Sequence, residues 1–246
     1  MNLKLARLRS LLEYADNQQK EISDEYSRYL DCDIPPSLQI KIKNYFENAR
    51  SLLDYIASDI CVAVLRLSNK HKCYFPINIR TQNEFQKFCK INFPNLETVD
   101  SAIYAALANT QPFNTNNLSS LRLLSTYTNK NKHRDLSQQK MVVETHAASR
   151  FKVIRFDDIG KEKLIKDLCD GYLIADETKV DEFLGSDYIL NNIGNIIELN
   201  PASVRYISFK FDDSDQDVIA TLINIQTAIS DVLERFTEPL YERYTE

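Results

Sequence analysis

The sequence predicts an α+β protein: a helical bundle over residues 1–138, then a small, mostly antiparallel sheet and a C-terminal helix over 139–246. Three observations predict it. All four glycines (Gly160, Gly171, Gly185, Gly194) lie after residue 159, so the long first part lacks the residue that most readily makes left-handed turns. Apolar residues there recur every three or four positions, whereas beyond residue 140 they come in short β-branched or aromatic runs between turn residues. A last stretch, about 215–237, returns to the helical period.

The elements follow in order. Leu5, Leu8, Leu12, Ala15, Ile22, Tyr26 and Tyr29 mark a first helix, broken only by Gln19. After Pro35-Pro36 comes the longest run: Ile42, Tyr45, Phe46, Ala49, Leu52, Leu53, Ile56, Ile60, Val64 and Leu67. A proline suits its first turn, where the missing N–H costs nothing, and the helix is expected to stop near Asn69, before Phe75-Pro76. Shorter helices are expected at 81–91, at 96–109 (opened by Pro94) and at 117–130. Residues 1–134 should therefore hold at least four helices and no sheet. VVETHAA, FKVIRF, GYLIA, NIIEL and RYISFKF read as strands. Val218, Leu222, Ile225, Ile229, Val232 and Phe236 stripe the last helix, which Pro239 helps to end.

Composition narrows the function classes. With 246 residues, 43% of them hydrophobic, the chain can build one large core or two small ones. No run of 18 apolar residues is present, and the N-terminal leucines alternate with Lys4, Arg7 and Arg9 rather than forming a signal-peptide core. Five cysteines (Cys32, Cys61, Cys73, Cys89, Cys169) without a Cys-x-x-Cys pair read as free thiols, and the expectation is a soluble cytoplasmic protein without a membrane partner.

Charge is uneven. Residues 120–155 hold 8 basic and 2 acidic residues, a net of +6, whereas residues 156–246 hold 8 basic and 20 acidic ones, a net of −12. The whole, at −5, is no bulk nucleic-acid coat, but the basic segment suits an anion or an acidic surface.

Most familiar chemistries are missing. There is no Walker loop, no nucleophile elbow and no His-Glu-x-x-His, and no cofactor is expected. In FDDSDQD, Asp213, Asp215 and Asp217 are spaced like the start of a calcium loop. However, Val218 and Asn224 stand where that loop needs Gly and Glu, so helix capping is preferred. His71 and Cys73 offer two metal ligands but no second pair at zinc spacing, so no metal is expected.

The remaining candidate is STYTNKNKHRDLS, residues 125–137. On one continuous helix Arg122, Thr126, Asn129 and His133 fall within about 60° of one another, while Leu121, Leu124 and Tyr127 lie on other faces. Arg122 and His133 would stand about 16 Å apart in one chain, so a shared phosphate needs two antiparallel copies crossing near residue 127. Lys130, Lys132 and Arg134 would then hold phosphate. The competing reading is a helix end, where Asn tolerates the left-handed conformation and Lys or His complements the dipole. Both stay open at this level.

Three pieces, ENARSLLDYIA at 47–57, FPI at 75–77 and LRLLSTYTNKNKHRDL at 121–136, together resemble bacterial proteins related to the HEPN superfamily. The resemblance covers residues 40–136. It implies a dimerising bundle of four or five helices, and in active members a metal-independent ribonuclease, often of toxin–antitoxin or antiphage systems. Such enzymes use an Arg and a His separated by four to six residues, with Asn often directly after the Arg. Carried onto this chain, the Asn is Asn129 and the His is His133, but Thr128 stands where the Arg should be. Thr cannot replace the guanidinium's charge, so Arg134, Lys132 or a partner copy's Arg122 would have to stand in. Arg66 and His71 also show the spacing, but on one helix they would point about 140° apart. The expected function is RNA binding, or weak metal-independent cleavage with His133 as general base or acid towards a ribose 2′-OH. The alternative is a non-catalytic dimeric interaction module, whose basic stretch meets the acidic C-terminal third or a protein encoded by a neighbouring gene.

Overall fold

The computed structural model describes residues 3–26, 34–68, 71–114, 119–133, 136–147, 153–155, 173–175, 188–190, 196–199, 203–214 and 216–244. The fold is α+β, with its helices leading. Among the described residues the order is α1 (Leu3–Tyr26), α2 (Pro36–Asp59), α3 (Gln82–Asn92), α4 (Leu96–Val99), α5 (Ser101–Ala108) and α6 (Ser119–His133). Then come β1 (Gln139–Ala147), β2 (Val153–Arg155), β3 (Leu173–Ala175), β4 (Tyr188–Leu190), β5 (Ile196–Leu199), β6 (Ser203–Phe211) and α7 (Val218–Phe236). No described residue before 134 is in a strand, as the glycine-free periodicity requires.

Contacts divide the chain into two compact units. One holds Met1–Glu25, Ile34–Gln138 and Ala220–Glu246; the other holds Tyr26–Asp33 and Gln139–Ile219. Gln138 and Gln139 fall in different units. The last helix, which the sequence reading grouped with the sheet, belongs from Ala220 onward to the helical unit. Its apolar stripe, Leu222, Ile225, Ile229, Val232 and Phe236, is buried.

In the helical unit α2 is the central element. Pro36 occupies its first helical position, and Leu38, Ile42, Tyr45, Phe46, Ala49, Leu52, Leu53 and Ile56 are buried along it. Tyr45 donates its hydroxyl to the Leu222 carbonyl of α7 at 2.9 Å, and Gln226 of α7 donates to the Leu12 carbonyl of α1 at 3.1 Å. Burying such polar groups is tolerable because each finds a partner. Phe46 stacks on Tyr127 of α6, with centroids 5.2 Å apart and planes 8° from parallel.

The α-helical hydrogen bonding of α2 ends earlier than the apolar run suggests. A wider π-turn over Ile60–Val64 closes with Leu65 N–H on the Ile60 carbonyl at 3.1 Å, and Arg66 then takes a left-handed φ of 52°. The expected helix over 96–109 is split into α4 and α5 by Asp100. Its carboxylate accepts from the backbone N–H of Ala102 and Ile103, both at 3.1 Å, and so starts a new helix there.

In the second unit β1, β6, β5 and β4 form an antiparallel sheet in that order, and β2 pairs with β3 in parallel. Strand β4 was missed by the sequence reading, because YIL is too short for an alternation to show.

Candidate functional site

Helix α6 carries the predicted polar stripe, and packing decides which way it faces. Leu121, Leu124, Tyr127, Thr128 and Asn131 are buried, an arc of about 120° on the helical wheel. Arg122, Thr126 and Asn129 are exposed on the opposite side, as the period required, and Thr126 gives its hydroxyl to the Arg122 carbonyl at 3.0 Å. The helix continues three residues beyond the predicted limit, to His133, so the backbone of His133 extends the same stripe. Lys130 lies half-buried at its margin and has interactions within the chain. The side chains of Lys132 and His133, and the whole of Arg134, fall outside the described residues.

Two neighbouring residues serve structure. Thr128, at the position where the HEPN pattern has Arg, is 3% exposed and donates to the Leu124 carbonyl at 2.6 Å. Its side chain faces the core, so an arginine at this place would not meet a solvent-borne phosphate. Asn131 accepts from both the backbone N–H and the hydroxyl of Ser137, at 3.1 and 3.0 Å, and ties the chain after α6 back to its last turns. Asn131 thus serves the chain that follows α6 through its side chain, not through a left-handed backbone.

The other two quoted pieces meet each other. Arg50 forms a bidentate pair with Asp54 one turn further along α2, at 3.1 and 3.0 Å. Arg50 also donates to the Phe75 carbonyl at 3.3 Å, and Asp54 accepts the Phe75 N–H at 3.1 Å. ENARSLLDYIA and FPI are thus joined by a clamp on both backbone groups of one residue. Gln111, fully buried, holds the next stretch by donating to the Pro76 carbonyl at 2.9 Å and accepting from Ile79 N–H at 3.3 Å.

Arg66 and His71 both lie beyond the end of α2, so no common helix forces them apart. His71 is exposed, and its Nε2 lies 3.2 Å from the Asn92 carbonyl that ends α3.

The expectation of free thiols fails at one pair. Cys61 and Cys73 form a disulfide, with Cα atoms 6.8 Å apart. They stand twelve positions apart, and the π-turn, the left-handed Arg66 and the return past His71 help to bring them together. No short spacing could have signalled it. Cys89 is a buried free thiol, and burial, helped by the charge of Glu97, pushes its pKa up to about 12. The sequence signal that existed was His71-x-Cys73; its third member sits on a helix and not at zinc spacing.

Open grooves on the helical unit lie along α1. One of about 500 Å³ is lined by Arg9, Glu13 and Asp16 with Gln226, Ser230 and Asp231 of α7. Another of about 440 Å³ is lined by Lys4, Arg7 and Leu11 with Tyr55 and Asp59 of α2. Both mix charges of either sign, and neither includes the α6 stripe. Among the described residues no helix is long and apolar enough to cross a membrane. Compared with known protein families, curated proteins and solved structures, the chain matches none.

Proposed function

We propose that this protein is a cytoplasmic RNA-binding protein with a HEPN-like helical unit, which meets RNA phosphates through the exposed face of α6. The observation that carries the reading is the division of that helix. Its apolar arc is spent on the core, while Arg122, Thr126 and Asn129 remain exposed on the face that leads to His133. Four basic residues against one acidic over residues 120–138, in a chain whose net charge is −5, favour an anionic ligand for this face. Homodimers would place two such stripes side by side.

The core-facing Thr128 favours binding over cleavage. Phosphodiester cleavage needs charge stabilised at the developing oxyanions, and one His flanked by Lys132 and Arg134 supplies only part of that. The same observation favours the second reading, a non-catalytic interaction module with an acidic protein partner.

Fluorescence anisotropy of a labelled single-stranded RNA, titrated with the protein at several salt concentrations, tests the proposal. Affinity should fall steeply with salt. Replacing Lys130, Lys132 and Arg134 with Ala should weaken binding and flatten the salt slope by about two to three units. Absent binding in the parent protein, or binding unchanged in the triple variant, returns the stretch to helix capping and supports the interaction module.

A further inference from the structure

We propose that Cys61, His71 and Cys73 are the ligands of a zinc site that opens when the Cys61–Cys73 disulfide is reduced. The two sulfurs and a ring nitrogen of His71 lie within 4.8 Å of one another. Tetrahedral zinc, about 2.3 Å from sulfur and about 2.0 Å from nitrogen, sets its ligand atoms about 3.5–3.8 Å apart. The cluster is already on that scale, apart from the bonded sulfurs, which must separate. The Cα atoms, 6.8 Å apart, stand at the wide end of what a disulfide spans, so χ1 rotation can part the sulfurs without closing the backbone further.

The surroundings are those of a ligand set. Cys61 is carried by the π-turn that ends α2, a kind of distortion that concentrates at functional sites. His71 Nε2 lies 3.2 Å from the Asn92 carbonyl, and Cys61 Sγ lies 3.4 Å from the same oxygen, so that carbonyl marks where the two side chains converge. A hydrogen bond from one ring nitrogen to that carbonyl leaves the lone pair of the other nitrogen for a metal. Zinc-binding imidazoles are commonly fixed in this way, one nitrogen on the metal and the other N–H on a carbonyl or carboxylate. Cys61 is buried, Cys73 half-buried and His71 exposed, so the sulfurs are sheltered while the imidazole faces the side from which an ion arrives. Two thiolates and a neutral imidazole match the charge of one Zn²⁺ and its preference for nitrogen and sulfur, with the fourth position left to water.

The chemistry balances. A trialkylphosphine breaks the S–S bond and is itself oxidised to the phosphine oxide, taking oxygen from one water molecule, whose two protons end on the two sulfurs. Zinc then displaces those protons as the two Zn–S bonds form. In a reducing compartment the dithiol, and hence the metal form, is the favoured one.

Cobalt(II) reports on the site directly. The full chain, reduced by phosphine under argon, is titrated with Co²⁺ alone and then with Zn²⁺, alongside a version in which Cys32, Cys89 and Cys169 are Ser. One equivalent of Co²⁺ should give the visible bands of tetrahedral cobalt with a near-ultraviolet thiolate charge-transfer band, and Zn²⁺ should abolish both. Cys73→Ser should lose most of the charge-transfer band. His71→Ala, at an exposed position with little bearing on folding, should weaken affinity at least about tenfold. The proposal is overturned if no tetrahedral spectrum forms in the reduced, folded protein, or if the spectrum is the same in His71→Ala and Cys73→Ser. A disulfide that resists the phosphine in the native fold, and so serves as a permanent clip, overturns it equally.

Discussion

Asp100 makes the sharpest test of how the helical unit is held. Its side chain is 2% exposed, and it does three things at once. One oxygen caps α5 through Ala102 and Ile103, the other accepts the Tyr244 hydroxyl at 2.7 Å, and Arg243 approaches to 3.2 Å. Burial works to raise its pKa, but the Tyr244 hydrogen bond, the Ile103 N–H, the Arg243 charge and the Ala102 N–H outweigh it and hold the carboxyl below its ordinary 3.8. Asp100→Ala removes an N-cap, typically about 1 kcal/mol. It also removes a hydrogen bond to a charged acceptor, about 1.5–3 kcal/mol. The half-exposed Arg243 adds at most about 1 kcal/mol. The variant should therefore lose about 2.5–5 kcal/mol in denaturant unfolding at pH 7, followed by helical circular dichroism. Asp100→Asn, which can still cap, should lose less. A carboxyl with a depressed folded pKa contributes stability that is complete above its unfolded value and disappears as pH falls through the folded one. The difference between wild type and Asp100→Asn should thus be constant above about pH 5 and shrink below 3.8. A loss in Asp100→Ala of under about 0.5 kcal/mol, or an Asn penalty that grows on acidification, would refute this account of the tether.

The remaining predictions concern packing and catalysis. Phe46 is fully buried beneath Tyr127, so Phe46→Ala should cost about 3–5 kcal/mol in the same unfolding assay; a change of under about 1 kcal/mol would mean that α6 is not held through this stack. RNA cleavage in the presence of a chelator is expected to be weak at best. Any cleavage present should drop about a hundred- to a thousandfold in both Arg122→Ala and His133→Ala, and return in part when the two variants are mixed, because one composite site then regains both side chains. Cleavage that survives in either variant rules out the composite site.

How much was legible follows from the range of each cause. The helices of the first unit were visible because burial writes a period into the sequence: the arc Leu121, Leu124, Tyr127 faces inward and leaves Arg122, Thr126 and Asn129 outside. Interruptions were less visible. Asp100 lies within an unbroken apolar pattern, and only its role as a cap splits that helix in two. The π-turn at Ile60–Val64 preserves hydrophobicity and changes only the hydrogen-bond register. The Cys61–Cys73 pair and the Arg50–Asp54 grip on Phe75 depend on where the chain returns, which no local spacing encodes. Of the candidate site, the stripe was legible. The inward direction of Thr128 was legible too, since it lies between Leu121 and Leu124 on the wheel, but its significance depended on the pattern it departs from.

The division of the chain into units has a consequence for the order in which the protein is made. The helical unit is discontinuous: its Ala220–Glu246 segment follows the whole of Gln139–Ile219 in synthesis. The carbonyl that Tyr45 seeks is on Leu222, and the amide that reaches Leu12 is on Gln226. On the ribosome, α1 to α6 must therefore wait with an open apolar seam while about eighty further residues emerge, several seconds at ordinary elongation rates. A nascent chain stalled before Leu222 presents that seam to chaperones, and a nonsense mutation anywhere in the sheet region strikes the helical core as surely as one within it.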